Sequence, residues 1–568
     1  MEMRDTVSLI WPTTSSMERY KHAVRLTEQC AGDLGIERIV QELCINQKYF
    51  ETIKKWLLNL CDDPSVIRYR LDIMEDFSRL PELADECEKL LPLLHKLDVL
   101  HESKTLSGAE PLRKIAWQLE ALEGYVRCVS GLKAVSERFG GMVRSNGLRR
   151  LFESVDRLTE DETFRSLAAS VPDYRQKLQN MSSITLGVNL DHELKPAEAI
   201  ILSMESKPFK NKKRSVLTSL LGMKTVDEPY DGVSPFQPIG KLSHPALDTA
   251  LLQSLDAIFT DALQPIGHAI KRYIDVNVPA ITGLEPEIGF YVGAVKFAAL
   301  LASVGMPVCK PEIAPAEDRI CRIGNMYDIM LAIGLTRRHP GIDLSNTIVP
   351  SDADFGDRGR IFILTGPNQG GKTTYTRAVG ICQVLFQAGV FVPGTDARIS
   401  PVDGLFAHFS EEEKPNILSG RLAEESRRLA EIFAGATRHS LILLNESLSS
   451  TSSRDSLHLA KDVVKGMRVL GCRAVYATHL LELAAGADAV NAEVPGDSLL
   501  ISMVAGVERE TAEEIAASSA AKRTYKIKPG PPNEVSYAKD IARLHGISFE
   551  QIIDTLKLRN VIRQRSDV

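Results

Sequence analysis

A glycine-rich loop at residues 366–374 carries the residue types that can hold a chain of phosphates. The loop reads Gly-Pro-Asn-Gln-Gly-Gly-Lys-Thr-Thr. Glycines let backbone N–H groups curl around a phosphate, and a helix that follows such a loop points its positive end at the anion. In such loops the lysine reaches the β- and γ-phosphates and the threonine hydroxyl binds Mg²⁺. We therefore predict an ATP and Mg²⁺ site contacted by Gly366, Pro367, Asn368, Gln369, Gly370, Gly371, Lys372, Thr373 and Thr374.

A second polar pair, Asn445 and Glu446, follows the apolar run at residues 440–444. In ATPases of this type an acidic residue at the tip of a strand holds Mg²⁺, and a neighbouring glutamate polarises the attacking water. Glu446 suits the catalytic role, whereas Asn445 stands where the metal role expects aspartate. We predict weaker Mg²⁺ binding and slow hydrolysis; the alternative is that Thr373 and the phosphates hold the metal sufficiently.

His479 follows a third apolar run, at residues 474–478. A histidine at the tip of a strand can contact the γ-phosphate or its attacking water, and so report hydrolysis. Although an isolated histidine is more often structural, the neighbouring motifs favour a catalytic role for His479.

The elements that must position these residues change in character along the chain. From about residue 306 onward, buried-strand runs such as 360–365 alternate with helical patterns such as 375–388, which predicts a mainly parallel sheet with helices on both faces. Residues 15–300 are mostly helical by pattern, with a short strand at 184–190. Pro92 is expected to kink or split the helix that contains it.

Composition excludes a few classes of protein. Hydrophobic residues make up 44% of the chain and charged residues 25%, as in ordinary globular proteins, and the formal net charge is -6. The nine cysteines are scattered without a Cys-x-x-Cys pair, so reduced thiols are expected. Because no apolar run is long enough to span a membrane, we predict a cytoplasmic or nucleoid-associated protein.

Several motifs agree in order and spacing with one family. The loop, with its Pro367-Asn368 pair and trailing Tyr375-x-Arg377, resembles the P-loop of MutS-type DNA mismatch repair ATPases. The motifs that carry the resemblance are residues 365–377, 402–406, 445–446 with 450–452, 477–483, 525–530 and 536–542.

The resemblance implies a fold and a mode of action. The fold is multidomain: a mostly α-helical core and lever region at 1–305, an α/β P-loop (ABC-like) ATPase domain at 306–545, and a C-terminal helix pair. Two subunits of the family pair so that each nucleotide is sandwiched between them, and the helix at 546–568 is expected to contact the second copy. The segment at 419–426 departs from the family's signature pattern, and residues 348–352 depart from its adenine-holding stretch.

One domain of the family is not expected in this chain. Mismatch readers in the family begin with a domain whose Phe-x-Glu wedge stacks on the mispaired base, and we expect no such domain here. DNA binding is therefore expected through backbone phosphates and shape. The candidate contacts form one basic run: Lys207, Lys210, Lys212, Lys213 and Arg214.

Two functions remain open from the sequence. The first is a homodimeric, DNA-associated ATPase that uses ATP to switch lever positions, in mismatch repair or a related DNA transaction. The second is a slowly hydrolysing, nucleotide-gated regulatory protein that acts on a protein or on ribosomal RNA.

Overall fold

The computed structural model describes most of the chain. The described residues are 7–20, 25–102, 111–179, 183–193, 196–205, 207, 278–367, 369–410, 421–507, 523–532, 546–559 and 561. The chain divides into two compact units. A helical unit takes Lys89–Gly141 and Phe152–Glu285, and a larger unit takes Val7–Glu88, Met142–Leu151 and Pro286–Val568.

Helices and strands among the described residues are numbered in chain order. The helices are α1 (Thr14–Tyr20), α2 (Glu28–Leu34), α3 (Ile36–Leu43), α4 (Phe50–Asn59), α5 (Pro64–Arg79), α6 (Pro81–Glu102), α7 (Pro111–Phe139), α8 (Asn146–Glu160), α9 (Glu162–Gln179), α10 (Val278–Thr282), α11 (Leu284–Ser303), α12 (Ile329–Arg338), α13 (Lys372–Ala388), α14 (Arg421–Gly435), α15 (Ser453–Leu470), α16 (Leu481–Ala485), α17 (Ala487–Glu493) and α18 (Phe549–Leu558). The strands are β1 (Ser183–Leu190), β2 (Pro196–Glu205), β3 (Val308–Cys309), β4 (Glu312–Ile313), β5 (Cys321–Met326), β6 (Ser351–Phe355), β7 (Ile361–Thr365), β8 (Val392–Pro393), β9 (Asp396–Ile399), β10 (Leu405–Phe409), β11 (Leu441–Asn445), β12 (Arg473–Ala477), β13 (Leu500–Val507) and β14 (Arg523–Pro529).

The described helices between Thr14 and Ser303 confirm the helical interpretation of the first half and correct one detail. α6 continues through Pro92, so the expected split is wrong. The apolar face of α6 packs closely on α7, where a Cβ at Gly131 would meet Leu90 at 2.5 Å. We infer that this packing offsets the hydrogen bond that Pro92 removes. The predicted strand at 184–190 is β1, which pairs with β2 in an antiparallel hairpin.

The larger unit is built on a six-stranded sheet of order β10-β11-β12-β7-β13-β14. All of its pairings are parallel except the last, which confirms the predicted mainly parallel sheet. β7, β11 and β12 are buried at every position, as expected for strands covered on both faces. Since these three strands are parallel neighbours, their carboxyl ends meet at one edge of the sheet.

The N-terminal helices of the larger unit are joined to the end of α13 by a buried polar network. Gln387, in the last turn of α13, is fully buried. Its side-chain amide donates to three backbone carbonyls, those of Leu60 at 3.2 Å, Cys61 at 2.9 Å and Val402 at 3.0 Å. The Arg70 guanidinium of α5 donates to the Gln387 carbonyl at 3.2 Å. The segment after α4 and the middle of α5 are therefore held against α13 by hydrogen bonds.

The predicted domain limits at residues 305 and 545 remain proposals.

All nine cysteines are free thiols, as the sequence predicts. Within the described part of the chain, no helix combines the length and the apolar character that a membrane crossing requires.

We expect Gln387→Ala to lower the free energy of unfolding by about 2–4 kcal/mol, because it leaves buried carbonyl groups without a donor. Chemical denaturation measures the change. The matched control is Gln41→Ala on the exposed side of α3, for which we expect a change within about 0.5 kcal/mol. Equal effects of the two substitutions would contradict the role given to Gln387.

Candidate nucleotide-binding site

The loop between β7 and α13 has a backbone path that requires glycine. Gly366 has φ 144° and Gly371 has φ 93°, both in the left-handed half of conformational space. A Cβ at Gly366 would lie 2.7 Å from the Ala505 Cβ, and a Cβ at Gly370 would lie 2.9 Å from the Pro367 carbonyl oxygen. The glycines therefore leave open space beside the backbone of residues 366–371, and this space is called the cradle below.

The cradle opens onto the N-terminus of α13. This helix begins at Lys372, three residues before the predicted start, and Gly371 caps it without a side-chain hydrogen bond. The first N–H groups of a helix have no acceptor within the helix, and they attract an anion. Lys372, Thr373 and Thr374 thus lie in the first turn, where a phosphate would be held.

The Lys372 side chain is only 4% exposed and lies inside the cradle. Its ammonium group donates to the carbonyls of Gly366 at 3.0 Å and Pro367 at 3.2 Å, and it lies 4.0 Å from the Glu446 carboxylate. Burial lowers the pKa of Lys372, and the Glu446 charge opposes that shift. A phosphate that enters the cradle would supply the negative charge that the buried ammonium lacks.

A cavity of about 550 Å³ extends from the loop, which is within the usual size of small-molecule sites. Its far wall is mostly apolar and includes Ile348 and Val349, which lie in the stretch at 348–352 that corresponds to the family's adenine-holding stretch. The wall and mouth are formed by Met326, Leu331, Leu335, Thr347, Ile348, Val349, Tyr525 and Ile527. Leu331 and Leu335 are spaced by one turn of α12, and this spacing marks an apolar helix face in the sequence itself.

The trailing Tyr375 and Arg377 of the loop motif connect the two ends of this cavity. The Tyr375 hydroxyl donates to the Asp352 carbonyl at 3.1 Å. The Arg377 guanidinium lies 3.3 Å from the buried Asp328 carboxylate, which caps α12 by accepting from the Met330 N–H at 2.8 Å. The phosphate end and the apolar wall are therefore held in one arrangement.

The two residues predicted to contact Mg²⁺, Thr373 and Asn445, are hydrogen-bonded to each other. The Thr373 hydroxyl donates to the Asn445 side-chain carbonyl at 3.0 Å. Among the described residues, no group of three or more His, Cys, Asp or Glu side chains is arranged to hold a metal ion. Hydroxyl and amide oxygens are ligands of the kind that Mg²⁺ accepts together with phosphates and waters, so Thr373 and Asn445 fit this ion.

The two predicted catalytic residues also lie together, because β11 and β12 are adjacent and Asn445 is in register with Ala477. The His479 Nε2 atom lies 2.7 Å from Glu446 Oε1. This hydrogen bond lowers the pKa of Glu446, burial opposes the shift, and the charges of His479 and Lys372 lower it further. The Glu446 carboxylate is therefore ionised at neutral pH.

Some predicted residues lie outside the described ones. Asn368 of the loop is one of them, and so are Lys210, Lys212, Lys213 and Arg214 of the basic run. Lys207 is described and exposed. Of the segment at 419–426, the described part begins at Arg421, where α14 starts.

Two family profiles match the chain in consecutive regions. Residues 62–304 match the MutS2 N-terminal domain, and residues 362–557 match MutS domain V. The second match contains the loop, the Asn445–Glu446 pair and His479.

Curated relatives are similar over part of their length. The DNA mismatch repair protein MutS 2 of Halobacterium salinarum is 33% identical over 230 residues, which is 40% of this chain and 26% of the relative. The DNA mismatch repair protein MutS of Microcystis aeruginosa is 27% identical over 460 residues, 76% of this chain and 49% of the relative. That of Roseiflexus sp. is 36% identical over 238 residues, 40% of this chain and 22% of the relative. The chain thus spans less than half the length of each of these relatives.

MutS domain V is an ABC-type ATPase domain, which implies ATP binding and agrees with the cradle and cavity described above. The N-terminal helical region and the mixed α/β domain agree with the order of the two matched profiles. The chain belongs to the MutS family, with a MutS2 N-terminal domain followed by a MutS domain V ATPase.

Proposed function

We propose that the chain hydrolyses ATP at a dimeric P-loop site and thereby switches a DNA-binding clamp or lever, in DNA mismatch repair or a related DNA transaction. One observation carries the proposal. The Glu446 carboxylate lies 2.7 Å from the His479 imidazole and 4.0 Å from the Lys372 ammonium, at the phosphate end of the cavity. An ionised carboxylate in this place is suited to act as a general base toward water.

In the proposed reaction, a water oxygen attacks the γ-phosphorus and the bond to the β,γ-bridging oxygen breaks, which leaves ADP and inorganic phosphate. Because His479 Nε2–H donates to Glu446 Oε1, the other carboxylate oxygen of Glu446 is available to take the proton of the water. Lys372 and the N–H groups at the start of α13 stabilise the charge on the phosphates.

Mg²⁺ would neutralise phosphate charge at this site, with the Thr373 hydroxyl and the Asn445 amide oxygen on its protein side. Asn445 brings no negative charge, so we propose that Mg²⁺ is held weakly and that hydrolysis is slow.

The dimer and DNA parts of the proposal have separate support. Ile547, Phe549 and Leu558 on and beside α18 are 61%, 75% and 85% exposed, which suits a contact with a second copy. The relatives are named DNA mismatch repair proteins. The basic run that begins at Lys207 supplies charge for phosphate contacts. A cytoplasmic or nucleoid-associated location follows from the same proposal.

A second candidate function rests on the neutral Asn445. A slowly hydrolysing, nucleotide-gated protein that acts on a protein or ribosomal RNA partner needs tight ATP binding more than fast turnover. The Thr373–Asn445 hydrogen bond, which involves no carboxylate, fits that use as well.

We expect Glu446→Gln to lower kcat by about 10²- to 10⁴-fold and to leave the Kd for ATP within about twofold, because a neutral amide cannot accept the proton. Lys372→Ala should instead weaken ATP binding by roughly 10- to 100-fold, since it removes a charged donor. Steady-state phosphate release and equilibrium titration measure the two effects. The matched control is Glu482→Gln, an exposed carboxylate of α16, which should change neither quantity. Turnover that survives Glu446→Gln would contradict the proposed function.

We expect Asn445→Asp to increase the ATPase rate at limiting Mg²⁺, because a carboxylate would attract the ion more strongly than an amide does. The rate is measured across a Mg²⁺ titration, with chelation by EDTA as the metal-free reference. At saturating Mg²⁺ the two proteins should differ less. An unchanged rate at limiting Mg²⁺ would show that Thr373 and the phosphates suffice.

We expect duplex or branched DNA to stimulate the ATPase, and added salt to weaken DNA binding, because the proposed contacts are to phosphates. Alanine at Lys207, Lys210, Lys212, Lys213 and Arg214 should weaken binding and flatten its salt dependence. Indifference of the ATPase to all DNA would favour the second candidate function.

The control for this experiment carries the same change of five charges on exposed faces of helices. Its substitutions are Lys55→Ala, Arg68→Ala, Arg157→Ala, Arg165→Ala and Lys461→Ala. An equal loss of DNA binding in the control would mean that net charge, rather than the basic run, holds DNA.

A further inference from the structure

The turn that carries Glu446 is strained on both sides of Ser447. Glu446 has φ 55° and Leu448 has φ 64°, so two residues with side chains adopt the left-handed conformation within three positions. This conformation is unfavourable for every residue that has a Cβ. It persists only where the surrounding structure determines it, and such turns cluster at functional sites.

Buried hydroxyl groups hold the backbone of this turn. The Tyr476 hydroxyl donates to the Ser447 carbonyl at 2.9 Å. The Ser456 hydroxyl donates to the Leu448 carbonyl at 2.6 Å. Both donors are buried, so neither hydrogen bond competes with bulk water.

The Ser447 side chain makes a further buried contact, with His408. Its oxygen lies 2.6 Å from His408 Nδ1, and its hydroxyl donates to the His408 carbonyl at 3.3 Å. Both contacts are satisfied when Nδ1–H donates to the serine oxygen. The two residues are 1% and 3% exposed.

The strand register explains how these side chains reach the turn. On β10, His408 is in register with Leu444 of β11, and on the other side of β11 Tyr476 of β12 is in register with the same residue. Residues in register on neighbouring strands point to the same face of a sheet. His408 and Tyr476 therefore approach Ser447 from opposite sides of β11, immediately beyond the end of the strand.

Packing alone does not account for a histidine and a serine here. The same side of the sheet carries a large apolar cluster that includes Leu444, Leu448 and Tyr476. Two apolar residues of similar shape would fill the space of a buried hydrogen-bonded pair at little cost in stability. A polar pair instead fixes one geometry, which is what a general base requires.

We propose that His408 and Ser447 are positioning residues for ATP hydrolysis: their buried hydrogen bond fixes the left-handed turn that aims the Glu446 carboxylate at the attacking water. The inference rests on the proposed function, in which Glu446 is the general base. His408 and Ser447 act through Glu446, so their removal should slow turnover without weakening nucleotide binding.

The test compares Ser447→Ala, His408→Phe and His408→Asn. For the first two we expect kcat to fall about 10- to 100-fold, as small misplacements of a catalytic group do, while the Kd for ATP stays within about twofold. His408→Asn should keep most of the turnover, because the asparagine amide can replace the Nδ1 donor. The double variant Ser447→Ala/His408→Phe should be no slower than the slower single variant, because both remove one interaction.

A second readout does not depend on turnover. In the nucleotide-free protein, hydrogen–deuterium exchange of peptides that cover residues 445–450 should be faster in Ser447→Ala and His408→Phe than in the wild type. The Glu446 N–H, which donates to the Ala477 carbonyl at 2.8 Å, reports the turn directly.

The matched control is Ser440→Ala, at the opposite end of β11. Ser440 is 1% exposed and its hydroxyl donates to the Asp403 carboxylate at 2.8 Å. This substitution removes a hydrogen bond of a buried serine next to the other end of the same strand, but it should leave kcat and the exchange of residues 445–450 unchanged.

Turnover within about twofold of the wild type in both Ser447→Ala and His408→Phe would overturn the inference, as would an equal loss of kcat in Ser440→Ala. If Ser447→Ala does not fold, the comparison of His408→Phe with His408→Asn decides the question. A wild-type rate in Glu446→Gln is a separate result: it removes the proposed function itself, and the positioning role with it.

Discussion

The ammonium group of Lys372 is almost fully buried, and it is held by two loop carbonyls and the nearby Glu446 carboxylate. A buried cation is unfavourable unless it has partners of opposite charge. The loop therefore has to bend its carbonyls inward, which its glycines permit, and β11 has to end with a carboxylate within reach. The same arrangement makes the cradle receptive to phosphate, because a bound phosphate would pair with the ammonium more completely than the loop carbonyls do.

The parallel sheet brings the residues around Lys372 together. β7, β11 and β12 are parallel neighbours, so the loop, the Asn445–Glu446 pair and His479 meet at one edge. The first turn of α13 forms the end of the cavity where we propose that the phosphates bind. At its last turn the Gln387 network fastens it to the segment between α4 and α5. A displacement of α13 on nucleotide binding would therefore reach the N-terminal helices of the larger unit directly.

The sequence predicted the central part of this site because its signals are local. Glycines before a lysine and a threonine, and polar residues at the ends of apolar runs, are recognisable within a few residues of sequence. The strands predicted at 360–365, 440–444 and 474–478 are confirmed within one residue. Contacts between distant segments gave no such signal. Gln387 resembles any helical glutamine until Leu60 and Cys61 are seen beside it, and the His408–Ser447 pair depends on strand register. The continuity of α6 through Pro92 is a further example, because local propensity predicted a kink or a split there and could not include the packing of α6 on α7.

We propose that ATP occupies the cavity with its phosphates on the first turn of α13 and its base against the apolar wall. Hydrogen–deuterium exchange of the Glu446→Gln protein, with and without ATP and Mg²⁺, tests this most directly because it locates the bound nucleotide along the chain. We expect slower exchange in peptides that cover residues 369–376, together with slower exchange near residues 329–352 of the wall. Saturating ATP that leaves both regions unprotected, or that protects other segments only, would contradict it.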